Sequence, residues 1–172
     1  MNERRDVIEI KSILAPTDFS AHSEHAVRYA CRLAERLGSE LHLLHVLSEI
    51  LPAGPDPLLM PVMPAQFYKE NEDRAQETLD HSLDASWGKP AAVVRAVKWG
   101  SPVESIVSYA DDHRIELIII ATHGRTGLSH VLLGSVAERI VREAPCPVLT
   151  IRDRNGARAA TSTARPAPAP RS

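Results

Sequence analysis

The sequence predicts an α/β fold built on one parallel sheet with helices packed on both faces. Three observations carry this reading. Strand-like and helix-like patterns alternate until five strands have been counted. The segment "IELIIIA", 115–121, is almost continuously apolar, as strands are when both faces of a parallel sheet are covered. The turns after the first and fourth strands are rich in Gly, Ser, Thr and Asp, and ligands bind such sheets beyond the carboxyl ends of the strands, where strand order reverses.

The elements follow in order. Residues 8–15, "IEIKSILA", are rich in β-branched and aliphatic side chains and read as the first strand. "PTDFS" is a turn, with Ser20 placed to cap the next helix. From Ala21 to Leu37 the apolar residues Ala26, Ala30, Leu33, Ala34 and Leu37 recur at helical spacing, and Gly38 ends the pattern. "ELHLLHVL", 40–47, is the second strand. Residues 48–65 hold Pro52, Pro55, Pro57, Pro61 and Pro64, which marks a long irregular connection of the sort used as a lid or binding loop.

Residues 66–86 read as a polar helix and 91–100 as the third strand. "SPVESIVSYADDHR" opens with Ser-Pro and a Ser101–Glu104 capping box, and Val103, Ile106, Val107 and Ala110 form its apolar face. Strand four is 115–121. A helix runs from Gly134 and Ser135 to about Ala144, and "CPVLTIR", 146–152, is strand five. These elements define one domain over 1–152, with the proline-rich loop inside it. The Ala/Pro/Arg-rich tail 153–172 has the composition of a disordered segment.

Bulk properties exclude several functions. A chain of 172 residues with 44% apolar and 24% charged content is ordinary for a globular domain. A net charge of −2 gives no electrostatic reason to expect nucleic acid or an anionic membrane as partner. Cys31 and Cys146 form neither a CxxC nor a zinc spacing and read as reduced thiols of a cytoplasmic protein. The charged start has no export signal, and no apolar run approaches the ~18 residues of a membrane span.

The stretch "THGRTGLSHVLLGS" allows two readings. Its glycines let backbone approach a ligand, and a helix opening at Gly134 offers free N–H groups and a positive dipole end to a phosphate, with the Ser135 hydroxyl beside them. It is equally a strand–helix connection that needs glycine for its geometry. Neither the P-loop lysine nor a GxGxxG pattern is present. Asp18 can accept hydrogen bonds from a ribose hydroxyl or an adenine amino group, or it can cap the following helix. Val46 can line an adenine slot or simply fill the core. His22 and His25 share a helix face. His42 and His45 lie three apart on a strand and point to opposite faces, so they build no metal site together. His123, inside the glycine turn, is the histidine best placed to touch a ligand. No GxSxG elbow, paired carboxylates or kinase signature marks a catalytic centre.

Together, "ILAPTDFS" near the start and "THGRTGLSHVLLGSVAERIVREAPCPVLTIR" near the end closely resemble the universal stress protein family, and "GSPVESIVSYADDHRIELIIIATHG" between them fits as well. The resemblance covers about residues 8–152. It implies a doubly wound, adenine nucleotide alpha hydrolase-like sheet of strand order 3-2-1-4-5 and a homodimer paired through strand 146–152. One group of the family binds ATP through G-x2-G-x9-G-[ST], and another lacks that motif. Here Gly124, nine residues, Gly134 and Ser135 match its second half, while Ala121 replaces the first glycine.

Carried over, the resemblance places Pro16, Thr17, Asp18 and Val46 around the adenosine. It sets Ala121, Thr122, His123 and Gly124 near the ribose and phosphates, with Arg125 in reach of a phosphate. Gly134, Ser135 and Val136 would supply phosphate-binding N–H groups and a hydroxyl. The ligand implied is ATP, or AMP or ADP, with Mg2+ as the accompanying ion. The expected function is a nucleotide-regulated stress-response module with at most slow ATP hydrolysis. The alternative is a dimeric adaptor of the same fold that binds no nucleotide, with an unidentified protein partner in either case.

Overall fold

The structure, a computed structural model, describes residues 9–48, 63–124 and 133–152. It contains β1 (Ser12–Thr17), α1 (Ala21–Leu37), β2 (Glu40–Leu47), α2 (Ala65–Asp80), β3 (Ala92–Trp99), α3 (Pro102–Asp112), β4 (Leu117–Ala121), α4 (Ser135–Glu143) and β5 (Val148–Ile151). All four strand pairs are parallel and the order is β3-β2-β1-β4-β5, the predicted 3-2-1-4-5.

Alternation along each strand builds two cores. Ile13 and Ala15 of β1, Leu41 and Leu43 of β2, and Leu117 and Ile119 of β4 face α1 and the end of α2. Their neighbours Leu14, Leu44, Ile118 and Ile120 face α3 and α4. Every residue of β4 is buried, as its unbroken apolar sequence requires. On α1 the stripe Val27, Ala30, Cys31 and Ala34 faces the sheet at i, i+3, i+4 and i+7. Leu37, expected on that face, is instead 47% exposed at the helix end. Gly38 then takes the left-handed conformation, φ 67°, and stops the helix.

Several expected boundaries shift. β1 begins at Ser12 and extends through Pro16 to Thr17, because its register on β2 runs from Ser12–Glu40 to Thr17–His45. The helix expected over 66–86 ends at Asp80. His81 Nδ1 takes the Glu77 carbonyl at 2.8 Å and Ser82 Oγ takes that of Leu79 at 2.7 Å. Asp84 then accepts from the Ser86 N–H at 2.7 Å, a local turn that competes with helix. Ser101 stands at the N-cap of α3, but its side chain makes no cap bond, so the capping box does not form. β4 and β5 are shorter than 115–121 and 146–152. Residues 49–62 of the proline-rich connection and the tail 153–172 lie outside the described residues.

One feature of the sheet opens the site. β1 pairs with β2 over six residues but with β4 only at Ile13–Leu117 and Leu14–Ile118. Beyond that point the two central strands stop pairing, and Pro16, which has no N–H, cannot extend a ladder there. The break lies at the switch point of strand order, with the β1–α1 and β4–α4 turns on either side of it.

Candidate functional site

The β1–α1 turn is held by a dense set of short-range bonds. The Ser20 side chain accepts from the Ser23 N–H at 3.2 Å and so caps α1. Asp18 is therefore not the cap. Its Oδ1 accepts from both the Ser20 N–H at 3.0 Å and the Ser20 hydroxyl at 2.6 Å, which braces the capping residue. Thr17 Oγ1 accepts from the Phe19 N–H at 3.1 Å and lies 3.1 Å from Ser23 Oγ. Phe19 has φ 61°, a conformation that a bulky side chain adopts only when its surroundings hold it there.

Across the switch point, Gly124 meets this turn. A Cβ on Gly124 would lie 2.7 Å from Asp18 Oδ2, so only glycine lets the two turns approach this closely. Gly134 makes the second close approach. Its N–H donates to the Thr122 carbonyl at 2.7 Å, and an added Cβ would lie 3.2 Å from that same oxygen. Its φ of −68° is ordinary, so proximity, and not a left-handed turn, requires glycine here.

Gly134 is the N-cap of α4. It has no side chain with which to cap the first-turn N–H groups of Ser135, Val136 and Ala137. Since the Gly134 N–H is itself committed to Thr122, the donors that an anion can use here begin at Ser135. Ser135 is exposed and Val136 is 36% exposed.

The remaining expected residues are distributed as follows. Thr17 and Pro16 end β1, and Ala121 ends β4 with its backbone in the strand. By strand alternation Ala121 falls on the face of Leu117 and Ile119. Thr122 is buried, its N–H donates to the Ile151 carbonyl, and its Oγ1 lies 3.0 Å from His123 Nδ1. The His123 and His22 rings lie 6.2 Å apart, which brings the start of α1 to the same turn. Val46 is half-buried against the α3-side core, one residue beyond the Thr17–His45 pair. Arg125 lies outside the described residues.

Two side chains at this site escape a reading of the sequence. Buried His45 sends Nδ1 to the Thr17 carbonyl at 2.8 Å and stacks on Phe19 at 4.2 Å between ring centroids. Its role depends on the β1–β2 register, which no local pattern reveals. His42 points the opposite way, as expected, to Tyr109 OH at 3.0 Å. Burial pushes the His42 imidazole below its ordinary value, opposed by the attraction of Glu40. It belongs to the far side of the sheet and not to the site. Among the described residues no three His, Cys, Asp or Glu side chains converge on a metal position, and no helix is long and apolar enough to cross a membrane.

Gly124 against Asp18 at the switch point of a 3-2-1-4-5 sheet, with Gly134 capping α4 against Thr122, agrees with the family whose motifs the sequence carries. The family model for universal stress proteins matches residues 9–152. The chain belongs to the universal stress protein family. A universal stress protein of Methanocaldococcus jannaschii is 32% identical over 146 residues, covering 83% of this chain and 82% of that one. Among solved structures, the universal stress protein UspA from Lactobacillus plantarum matches with a TM-score of 0.67 at 24% identity, over 85% of this chain and 100% of its own. A universal stress protein in complex with cAMP matches at 0.57 and 22% identity, over 84% of this chain and 98% of that one. The protein from Archaeoglobus fulgidus in complex with dAMP matches at 0.55 and 23% identity, over 84% and 99%. These three likenesses show the fold.

Proposed function

We propose that this universal stress protein binds an adenine nucleotide, ATP foremost, between the β1–α1 and β4–α4 turns, and acts as a nucleotide-regulated dimeric stress-response module. The observation that carries this reading is the contact of Gly124 with the Asp18 carboxylate, 2.7 Å from a notional Cβ. It sets an acceptor for ribose or adenine donors beside a glycine turn and a helix N-terminus. The cAMP and dAMP complexes of two structural neighbours support the same ligand class.

In this reading Asp18 holds the nucleoside, with Pro16, Thr17 and Val46 beside it. Ala121, Thr122, His123 and Gly124 flank the ribose, and the first-turn amides at Ser135 and Val136 with the Ser135 hydroxyl hold phosphate. Gly134 acts by its small size, and Arg125 adds a cation. Mg2+ bound to a nucleotide keeps most of its waters and needs only one or two protein oxygens, so it does not call for a three-ligand cluster. The reading includes at most slow hydrolysis and assigns no residue as a base.

The same proposal makes residues 1–152 the working domain, with the 48–65 connection inside it and the tail outside. β5 is an edge strand with Val148–Ile151 half-buried, and Val141 on α4 is 49% exposed, which supports pairing of β5 across a two-fold axis. Two free thiols fit a cytoplasmic setting.

Isothermal titration of the purified dimer with ATP tests the reading: saturable heat is expected, and its absence at tens of micromolar protein would overturn it. The alternative, a dimeric adaptor without nucleotide, draws on Ala121, and the strand conformation of that residue weakens it. Mass spectrometry of nucleotide released from freshly purified protein separates the two.

A further inference from the structure

We infer that His45 is the positioning residue of the nucleotide site: it grips the β1–α1 turn on both sides of Asp18 and thereby sets where the Asp18 carboxylate points. The inference rests on the adenine-nucleotide reading above and adds to it a determinant that touches no ligand.

The geometry is specific. On the N-terminal side of Asp18, the Thr17 carbonyl accepts a bond from His45 Nδ1 at 2.8 Å, and the two residues face each other in the β1–β2 ladder. A carbonyl oxygen only accepts, so Nδ1 carries the hydrogen. On the C-terminal side, the His45 ring stacks on Phe19, with centroids 4.2 Å apart and planes 26° apart. Both neighbours of Asp18 are thus fixed to one imidazole that is itself 4% exposed.

Phe19 is the residue that most needs holding. At φ 61° it is in a region that a large side chain avoids. The His45 stack and its own N–H on Thr17 Oγ1 at 3.1 Å hold it there, together with packing against the α1-side core. A change at Phe19 rotates the backbone next to Asp18, whose Oδ2 lies 2.7 Å from where a Cβ on Gly124 would stand across the crevice. Any rotation therefore moves the carboxylate along the path a ribose or adenine donor would take.

Two substitutions at this position separate the contacts. His45→Asn keeps an N–H donor near the place of Nδ1 and loses the ring. His45→Phe keeps the ring and leaves the Thr17 carbonyl without its donor. Titration with ATP is expected to show His45→Phe weakened about tenfold and His45→Asn weakened less, as the loss of one buried hydrogen bond predicts.

The decisive measurement is a double-mutant cycle with Asp18→Asn. If His45 acts through Asp18, His45→Phe costs affinity in the native background and almost nothing in the Asp18→Asn background. A residue that only supports the fold lowers the melting temperature of the free protein and costs the same in both backgrounds. Should His45→Phe fail to fold, Phe19→Leu, which removes the stacking partner, enters the cycle in its place with the same expectation. Additive losses, or no loss in either variant, overturn the positioning role while the nucleotide reading stands. Equal ATP affinity of the native protein and Asp18→Asn removes Asp18 as a ligand-holding group and overturns this inference while ATP binding stands; no binding by the native protein overturns the nucleotide reading and this inference with it.

Discussion

Asp18 and Gly124 stand on opposite sides of the crevice, and where they meet there is no room for a side chain on Gly124. A single methyl on Gly124 would lie 2.7 Å from Asp18 Oδ2. The carboxylate cannot retreat freely, because its other oxygen holds the Ser20 N–H and hydroxyl at 3.0 and 2.6 Å. Gly124 is therefore part of what aims Asp18.

Gly124→Ala is the smallest test of that contact. The methyl must push the carboxylate aside and weaken its bonds to Ser20, which cap and steady α1. ATP affinity is expected to fall about tenfold, in line with one disturbed charge-assisted hydrogen bond. The melting temperature should fall only slightly. Calorimetric titration and a thermal scan on the same preparation check both, and unchanged affinity would show that the nucleotide does not use Asp18.

Gly134→Val tests the second close approach. The backbone of Gly134 tolerates a side chain at φ −68°, but its Cβ would meet the Thr122 carbonyl at 3.2 Å and the His123 backbone at 3.8 Å. The α4 N-terminus must shift away from β4, taking the Ser135 and Val136 amides with it. The expected result is loss of measurable ATP binding with a destabilisation on the order of 2 kcal/mol, the usual cost of overpacking. Retained affinity would place the phosphates away from α4.

The edge position of β5 makes a prediction about assembly. Pro147 and Ile151 offer their carbonyls to Ile118 of β4 and to Thr122 just past its end, so Thr150, one residue out of phase, directs its backbone groups away from the sheet. Thr150→Pro removes an outward donor and leaves the β4 ladder intact. Light scattering is expected to report a dimer for the native chain and a monomer for the variant, with similar circular dichroism. A dimer that survives the proline would mean that β5 is not the contact.

How much of this was legible in the sequence depends on the range over which each feature is decided. The bounds of α1 and β2 follow from local signals, Ser20 as cap, Gly38 as stop and the apolar run between Glu40 and Leu47. The strand order follows from the family motifs, and the general place of the site from the alternating pattern, which sets the turns after strands one and four at the switch point. The end of α2 was misread because the side chains of His81 and Ser82 close the helix while polar residues continue beyond it. The two site glycines were legible as points of close approach, yet nothing local says that one meets Asp18 and the other Thr122. His45 and Phe19 were missed for a stronger reason. The left-handed turn sits on a phenylalanine, a residue that does not advertise it, and the histidine that holds it lies on another strand.

His42 gives the far side of the sheet a pH dependence. Its imidazole is held below the ordinary 6.5, first by burial, with His113 adding to the shift and Glu40 opposing it. The unfolded chain then takes up the proton more readily than the folded one, so stability falls as the pH drops below about 6.5 and through the lower folded value. Tyr109, bonded to Nδ1 at 3.0 Å, and His113, stacked on Tyr109 at 3.9 Å, share the site, so the replacement must preserve the bond. His42→Gln keeps a partner for Tyr109 and cannot titrate. Urea midpoints between pH 5 and 7 are expected to decline less steeply in that variant than in the native chain, and parallel curves would remove His42 as the cause.

Ala121→Gly asks whether the one departure from the ATP-binding motif matters. A glycine is needed where φ is positive or where backbone must approach a ligand with no Cβ between them. Ala121 meets neither condition: it pairs with Ile151 at the end of β4, is 7% exposed, and by strand alternation falls on the face of Leu117 and Ile119. Restoring glycine therefore gains no room in the crevice and frees the backbone at the strand end, at a cost of about 0.5–1 kcal/mol. ATP affinity should change by less than about threefold, since the ribose is flanked by the Ala121 backbone and not by its methyl. The comparison needs only titration and a denaturant curve on the two proteins. A gain of tenfold or more would mean that the methyl stands in the path of the nucleoside, and that the chain carries a deliberately weakened form of the site.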